Sequence, residues 1–200
     1  MDWVYSDTVK EHFIRPKNIL LDEKEFKEDG KGYVGNPKCG DMMLLVIKVD
    51  KTNNTITECK WKTYGCASAV ASTSMLSEMV KGMSLDDAYN IKPNDIMDKL
   101  GGLPDNKIHC SVLGDKALRD AIDNYYFRTD QKDKIKKKKS IEICHCLSVT
   151  DAEIEEEVLE GVKDFETLQE RTKLGTSCGK CIPQAKELLN HYVRKYYGED

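Results

Sequence analysis

The stretch from Arg128 to Ser140 is the feature that most constrains how this chain can fold. It contains four consecutive lysines, residues 136–139, and almost no apolar side chain. Such a stretch cannot bury enough apolar surface to offset the entropy lost when it is ordered. The sequence therefore predicts a solvated linker over residues 128–140, with one folding unit on each side.

Charge is distributed unevenly around that linker. Residues 1–127 carry a net charge of -3, residues 128–140 of +5 and residues 141–200 of -6, within a total of -4. One short basic run beside two acidic units has a small electrostatic footprint, so we interpret it as a tether rather than a nucleic-acid-binding patch. We therefore expect no nucleic acid among the partners.

The composition predicts a globular chain that does not enter a membrane. The longest apolar run, residues 42–47, is far shorter than the ~20 residues that a spanning helix needs. The acidic start, Met1-Asp2-Trp3, lacks the basic and apolar regions of a signal peptide. We expect a cytoplasmic protein, in which eight cysteines indicate metal binding or redox chemistry rather than disulfides.

Residues 1–127 are predicted to form an α+β unit, an antiparallel sheet covered by helices. Residues 42–49 and 55–64 have strand patterns on either side of an Asn-Asn turn, and Cys59 lies on the inward face of the second strand. The glycines before the first strand predict a flexible loop leading to Cys39. The predicted helix N-caps share a short polar side chain and are Ser6, Ser84 and Asn94.

Three cysteines of this unit, Cys39, Cys66 and Cys110, lie at predicted joins between elements, and we treat them as one site. Cys110 follows His109 at the beginning of an amphipathic helix. There the unpaired N–H groups and the helix dipole favour a thiolate over a thiol. The same residue is therefore a better metal ligand and nucleophile than an ordinary cysteine.

Three thiolates leave one ligand position of a tetrahedral metal to be filled. Asp41, two residues from Cys39, and His109, next to Cys110, are the candidates, and such mixed ligation releases a metal more easily than four thiolates do. The alternatives remain open: Asp41 would be a turn carboxylate, and His109 a polar contact at the start of the helix.

Residues 141–200 are predicted to be a small all-α unit. Thr150 begins a capping box, and Pro183 is the first residue of the last helix. Some 60 residues make a marginal core, for which a metal centre would be a natural staple.

Two cysteine pairs in this unit indicate such a centre. Cys144 and Cys146 form a C-x-C pair, and Cys178 and Cys181 form a C-x-x-C pair, each in a loop before a helix. Four soft sulfurs suit either an iron–sulfur cluster or a structural zinc, and the spacing alone does not choose between them.

These motifs resemble known families. Residues 1–127 resemble the IscU/NifU family of iron–sulfur cluster assembly scaffolds through Gly35-Asn36-Pro37-Lys38-Cys39-Gly40-Asp41, Thr63-Tyr64-Gly65-Cys66-Ala67-Ser68-Ala69 and Lys107-Ile108-His109-Cys110-Ser111-Val112-Leu113. Residues 141–200 resemble the 2Fe-2S domain of bacterioferritin-associated ferredoxin through their two cysteine pairs. The order of the two units is that of NifU-like proteins.

Two departures accompany the resemblance. Full-length NifU continues into a third domain with one more C-x-x-C, which a chain ending at Asp200 is expected to lack. In the IscU branch a Leu-Pro-Pro-Val-Lys segment binds a dedicated Hsp70, whereas residues 103–107 here read Leu-Pro-Asp-Asn-Lys. This difference puts chaperone dependence in doubt.

The resemblance implies a scaffold rather than an enzyme. Cys39, Cys66 and Cys110 would receive sulfur from a cysteine desulfurase and combine it with iron. The nascent 2Fe-2S or 4Fe-4S cluster would then pass to acceptor apoproteins, and zinc is another metal that this site could hold. The expected assembly is a homodimer.

The resemblance also implies a permanent 2Fe-2S cluster on Cys144, Cys146, Cys178 and Cys181, for electron supply.

Two alternatives belong to other classes. In a zinc-binding structural module the cysteines would only hold the folds together, and the protein would be colourless, because zinc gives no visible absorption. A thiol oxidoreductase would use Cys178 and Cys181 as a redox C-x-x-C pair, but the strand and βαβ context expected of such a motif is missing from the sequence.

Overall fold

The computed structural model describes residues 5–35, 41–104, 107–135 and 140–198, without the side chains of residues 108–111. The chain divides into two compact units, Met1–Lys136 and Lys137–Asp200. Each has its own core and is described by itself. Among the helices that the structure describes, none has the length and apolar character that crossing a bilayer requires.

The first unit is built on a three-stranded antiparallel sheet in the order β1-β2-β3. Its strands are β1, Gly30–Gly35, β2, Met42–Asp50, and β3, Thr55–Tyr64. The predicted hairpin of β2 and β3 is confirmed. Cys59 is fully buried on the inward face, as its place in the alternation predicts.

The predicted glycine loop over residues 30–35 is wrong, because these residues form β1 and pair with β2. The glycines allow a helix to lie directly on the strand. A Cβ atom at Gly32 would lie 2.0 Å from the carbonyl oxygen of Ala117, and one at Gly30 would lie 2.3 Å from that of Ala121. Glycine is therefore required here by close backbone approach rather than by a turn.

Both edges of the sheet are covered. On the β1 edge, the N–H of Lys31 donates to Asn124 Oδ1 at 3.1 Å, and the N–H of Tyr33 donates to Asp120 Oδ2 at 3.0 Å. On the β3 edge, the N–H of Leu20 donates to the carbonyl oxygen of Trp61 at 2.7 Å. Edges satisfied in this way do not offer a template for pairing with another strand.

The described part of the first unit has five helices: α1, Asp7–Ile14, α2, Ala67–Met79, α3, Leu85–Tyr89, α4, Pro93–Leu100, and α5, Ile108–Arg128. Helices α2 and α5 pack on the sheet, and the other three pack on these two helices. The predicted N-caps Ser6 and Ser84 are confirmed, since each side chain accepts an N–H of the first turn. The expected N-cap Asn94 is wrong. Helix α4 begins at Pro93, and Asp95 accepts the N–H of Lys92 at 2.8 Å.

The linker was predicted over residues 128–140. Its first part, residues 128–135, belongs structurally to the first unit. Helix α5 continues to Arg128, whose guanidinium lies 3.3 Å from Glu28 Oε1. A short 3-10 helix, Lys132–Lys134, follows, and Ile135 packs against the core of the first unit. One apolar residue and one ion pair therefore keep this segment against the first unit.

The second unit contains β4, Glu142–Cys144, β5, Val149–Thr150, α6, Asp151–Leu159, α7, Phe165–Thr172, and α8, Ile182–Tyr197. The expected all-α architecture is corrected by the antiparallel pair β4–β5. Strands of two and three residues are too short to give an alternation in the sequence. The Thr150 capping box is confirmed. Pro183 is the second residue of α8 rather than the predicted first, because the helix begins at Ile182.

Candidate metal-binding sites

The first candidate site lies where β2 begins and β3 ends. Met42 and Tyr64 are cross-strand partners, so Asp41 and Gly65 leave the sheet side by side. A Cβ atom at Gly65 would lie 3.1 Å from both Cγ and Oδ2 of Asp41. The carboxylate of Asp41 therefore packs against the backbone of the residue that precedes Cys66.

The burial of Asp41 and the position of Cys66 at the start of α2 determine which ligands this site can offer. Asp41 is 8% exposed, and Cys66 is partly buried and is the N-cap of α2. The positive end of α2 favours a thiolate at Cys66. A buried carboxylate next to the residue that precedes a cysteine offers one oxygen ligand and one sulfur ligand, and this combination suits a metal ion.

The beginning of α5 is brought to the same end of the sheet. Tyr33 is bonded to Asp120 and Lys31 to Asn124, so β1 and α5 run in opposite directions. Two strand residues and four helix residues both advance by about 6 Å. The end of β1 at Gly35 is thus level with about Lys116 in the third turn of α5, and the helix begins beyond that end of the strand.

The other predicted ligands of this site lie outside the described part of the molecule or have only their backbone described. His109 and Cys110 are the second and third residues of α5, as the predicted helix start requires. Their side chains are not among those described, and Cys39 lies outside the described residues. The structure places Asp41 against Gly65, next to Cys66, and brings the helix that carries His109 and Cys110 to the same end of the sheet.

The second candidate site is formed by two cysteine pairs. Cys146 Sγ and Cys178 Sγ are 3.5 Å apart, and both residues are exposed. Cys144 and Cys181 are hydrogen-bonded to each other, and both are buried. Each pair takes one cysteine from the end of β4 or the loop that follows it, and one from the loop before α8.

Hydrogen bonds decide which sulfur of each pair is the preferred thiolate. The N–H of Gly175 lowers the pKa of the Cys144 thiol, while burial raises the pKa of Cys181. The N–H of Lys180 lowers the pKa of the Cys178 thiol, and the hydrogen bond to Cys178 raises the pKa of Cys146. Nothing in the sequence predicts these backbone donors except the glycines of the loop.

This donor set fits a 2Fe-2S cluster. Each iron of such a cluster takes two thiolates, and N–H groups directed at the sulfurs stabilise their negative charge. Two pairs of cysteines with backbone donors supply both features. Within the described residues, no three His, Cys, Asp or Glu side chains converge as ligands of a single ion.

Comparison with protein families identifies both units. The family described as NifU-like N terminal domain matches residues 4–132, and the family described as BFD-like [2Fe-2S] binding domain matches residues 142–191.

Individual relatives agree with these matches. The nitrogen fixation protein NifU of Nostoc sp. strain PCC 7120 is 37% identical over 195 residues, which cover 94% of this chain and 63% of the relative. The iron–sulfur cluster assembly scaffold protein IscU of Aquifex aeolicus strain VF5 is 40% identical over 168 residues, 84% of this chain and 98% of the relative. The chain therefore spans less than two thirds of the NifU relative and nearly all of the IscU relative.

A solved structure of a scaffold protein for the SUF system from Fervidobacterium islandicum AW-1 covers 59% of this chain and 96% of its own, with a TM-score of 0.45 and 22% identity. The IscU relative is named as an iron–sulfur cluster assembly scaffold protein. This chain belongs to the NifU and IscU family, with a NifU-like N-terminal domain followed by a BFD-like 2Fe-2S binding domain.

Proposed function

We propose that this chain is an iron–sulfur cluster assembly scaffold. Cys39, Cys66 and Cys110 receive sulfur from a cysteine desulfurase, combine it with iron and pass the nascent cluster to acceptor apoproteins. The observation that carries the proposal is the packing of the Asp41 carboxylate against Gly65, beside Cys66, at the end of the sheet where α5 begins.

Sulfur transfer needs a nucleophilic thiolate in a loop that a partner can reach. Cys66 is partly buried at the positive end of α2, which favours the thiolate. The thiolate attacks the outer sulfur of the donor's persulfide, and the donor cysteine leaves as a thiolate. No redox partner is needed in this step. Conversion of each bound persulfide sulfur into the sulfide of a cluster takes two electrons, which a reduced electron carrier supplies.

Cluster release needs ligation that is weaker than four thiolates. A carboxylate is a harder ligand than a thiolate and binds iron less tightly, so Asp41 provides a position that can exchange. Its burial keeps it beside Cys66 rather than in bulk water. His109 is the second candidate for the exchangeable position.

The second unit holds a permanent 2Fe-2S cluster on Cys144, Cys146, Cys178 and Cys181. All four ligands are thiolates, so there is no weak position through which the cluster would leave. When bound, the cluster supplies one-electron chemistry. The cysteines of the two pairs orient it and bury one side, while the exposed pair keeps the other side at the surface.

The remaining features of the proposal follow from the family resemblance. The proposed domains are a scaffold domain over residues 1–127, a linker over 128–140 whose first part, up to Ile135, packs against that domain, and a 2Fe-2S domain over 141–200. The proposed assembly is a cytoplasmic homodimer, and light scattering of the purified chain tests its mass.

Mass spectrometry tests the scaffold function. After incubation with a cysteine desulfurase and cysteine, added sulfur is expected on Cys39, Cys66 or Cys110. A Cys59→Ala variant is the matched control, because Cys59 is fully buried and should not contribute. Added sulfur only on the cysteines of the second unit would contradict the scaffold function.

The metal content and colour of the purified chain test the cluster assignment. A red-brown protein with iron and acid-labile sulfide in equal amounts is expected. A colourless protein that contains only zinc would instead support a zinc-binding structural module.

A further inference from the structure

The four cysteines of the second unit lie in different surroundings. What we infer from this difference rests on the 2Fe-2S cluster proposed for them. Cys146 and Cys178 are exposed, with their sulfurs 3.5 Å apart. Cys144 and Cys181 are 2% and 8% exposed. A cluster bound here would have one side in water and one side inside the protein.

The pairing indicates which cysteines share an iron. Two ligands of one iron must lie on the same side of the cluster, as the close pairs do. Cys146 with Cys178 and Cys144 with Cys181 therefore each hold one iron. Each iron then joins the end of β4 or the loop that follows it to the loop before α8, and neither segment holds an iron alone.

Reduction adds one negative charge, and its position depends on which iron has the surroundings that stabilise it better. Water and the Lys180 ammonium act on the exposed pair, and the N–H of Lys180 also donates to Cys178. The N–H groups of Gly175, Leu147 and Cys146 donate to Cys144, but these donors replace water that burial has removed. The surroundings of the exposed pair therefore stabilise the added negative charge better than those of the buried pair.

We propose that Cys146 and Cys178 ligate the iron that is reduced, and that Cys144 and Cys181 ligate the iron that stays ferric. One electron from a reduced one-electron carrier converts one of two ferric ions to ferrous, with no bond formed or broken and no proton taken up. The surface around Cys146 and Cys178 is then the place where the electron enters and leaves.

Paramagnetic proton NMR of the dithionite-reduced full chain tests the proposal, with dithionite as the electron donor. The chain should carry Cys39→Ala, Cys66→Ala and Cys110→Ala, so that only the second unit holds a cluster. The β-protons of cysteines on ferrous and ferric iron shift in opposite directions with temperature. Ferrous behaviour is expected for Cys146 and Cys178, assigned from the signals lost in single cysteine-to-serine variants.

A second measurement keeps the ligands intact. Lys180→Gln is expected to lower the reduction potential, because the ammonium near Cys178 stabilises the added electron. Lys173→Gln, on the same loop, is the matched control and should leave the potential unchanged. Where a serine variant fails to hold the cluster, the difference in reduction potential between the two lysine variants tests the proposal.

Three results would overturn the proposal. They are ferrous behaviour of Cys144 and Cys181, equal behaviour of all four cysteines, and equal potentials for the two lysine variants. A chain without visible absorption would instead remove the cluster assignment itself, which separates that failure from this one.

Discussion

Asp41 shows how one residue connects the local fold to the proposed chemistry. It leaves β2 next to Gly65, and its carboxylate is 3.1 Å from the position of a Gly65 Cβ atom. The sequence alone suggested a carboxylate near Cys39, because the two are separated by one residue. It could not show the approach to Cys66, which depends on the register between β2 and β3.

The Asp41→Ala variant should hold its transient cluster longer. The carboxylate otherwise competes with sulfide or thiolate for iron, and competition worth ~1 kcal/mol corresponds to about a fivefold change in rate. The measurement is the decay of visible absorption after reconstitution, in a background with Cys178→Ala and Cys181→Ala.

Two control variants separate this effect from a loss of stability. Asp41→Asn keeps the side-chain volume but removes the charge, and it should behave like Asp41→Ala. Asp50→Ala removes a carboxylate at the far end of β2, where it accepts the N–H of Thr52, and should leave the decay unchanged. Equal decay rates for the unchanged protein and Asp41→Ala would show that Asp41 only supports the turn.

Cys59 makes the folding stability of the first unit depend on pH, independently of metal binding. Burial raises the pKa of its thiol from 9.0 to about 12. The folded state therefore keeps the proton that the unfolded state loses above pH 9. Its contribution to stability is fully present below pH 9 and is lost as the pH rises from 9 to about 12, by ~1.4 kcal/mol per unit.

The stability difference between the unchanged protein and Cys59→Ala should shrink by ~1.4 kcal/mol between pH 8 and pH 10. Alanine cannot titrate, so other groups that ionise in this range contribute equally to both proteins. The measurement is urea unfolding at both pH values under reducing conditions. A difference that stays constant would mean that Cys59 ionises without unfolding.

Among the contacts between elements, the packing of α5 on β1 is the one that positions the first candidate site. Gly30 and Gly32 let the helix backbone lie on the strand, and this packing places the first turn of α5 beyond the end of β1. The same contact satisfies the edge N–H groups of Lys31 and Tyr33. Elements that pack this closely have little freedom to shift.

Gly32→Ala should destabilise the first unit by about 3 kcal/mol or more, the upper end of what overpacking usually costs. Its Cβ atom would lie 2.0 Å from the carbonyl oxygen of Ala117, so the helix backbone has to move. Gly35→Ala is the matched control in the same strand, since its Cβ atom would meet nothing closer than 3.8 Å.

Urea unfolding of both variants measures the difference, and Gly35→Ala should stay within about 0.5 kcal/mol of the unchanged protein. If the two substitutions cost the same, close approach is not the reason for glycine at position 32.

The elements predicted correctly are those with a strong local pattern. Strand β3, the Ser84 cap and the Thr150 capping box were predicted because alternation and capping are visible in a few consecutive residues. Strand β1 was mistaken for a loop, because glycines that admit a helix look the same in sequence as glycines that form a turn. Strands β4 and β5 are too short to produce any period.

At the scale of the whole molecule, two cores of different size share one chain. In the described residues, three strands and five helices contribute to the core of the first unit. The core of the second unit is formed mainly by α6, α7 and α8. A core of some 60 residues supplies no more than ~3–5 kcal/mol. The sequence predicted two units because of the lysine run, but it could not show that residues 128–135 lie against the first.

Removal of iron from the second unit should destabilise it. Each iron joins the end of β4 or the loop that follows it to the loop before α8 in the proposed arrangement, so its loss removes two cross-links from a marginal core. We expect faster amide hydrogen exchange throughout α6 and α8 after the reduced protein is treated with an iron chelator.

A background with Cys39→Ala, Cys66→Ala and Cys110→Ala confines the treatment to the second unit. The chelator alone, added without reductant, is the control for solution conditions, because the intact cluster should resist it. The core positions Ile154 on α6 and Leu189 on α8 are buried, so the amides around them report directly on core opening. Unchanged protection after complete loss of iron would show that the helices of this unit hold together without the cluster, which would then serve electron transfer alone.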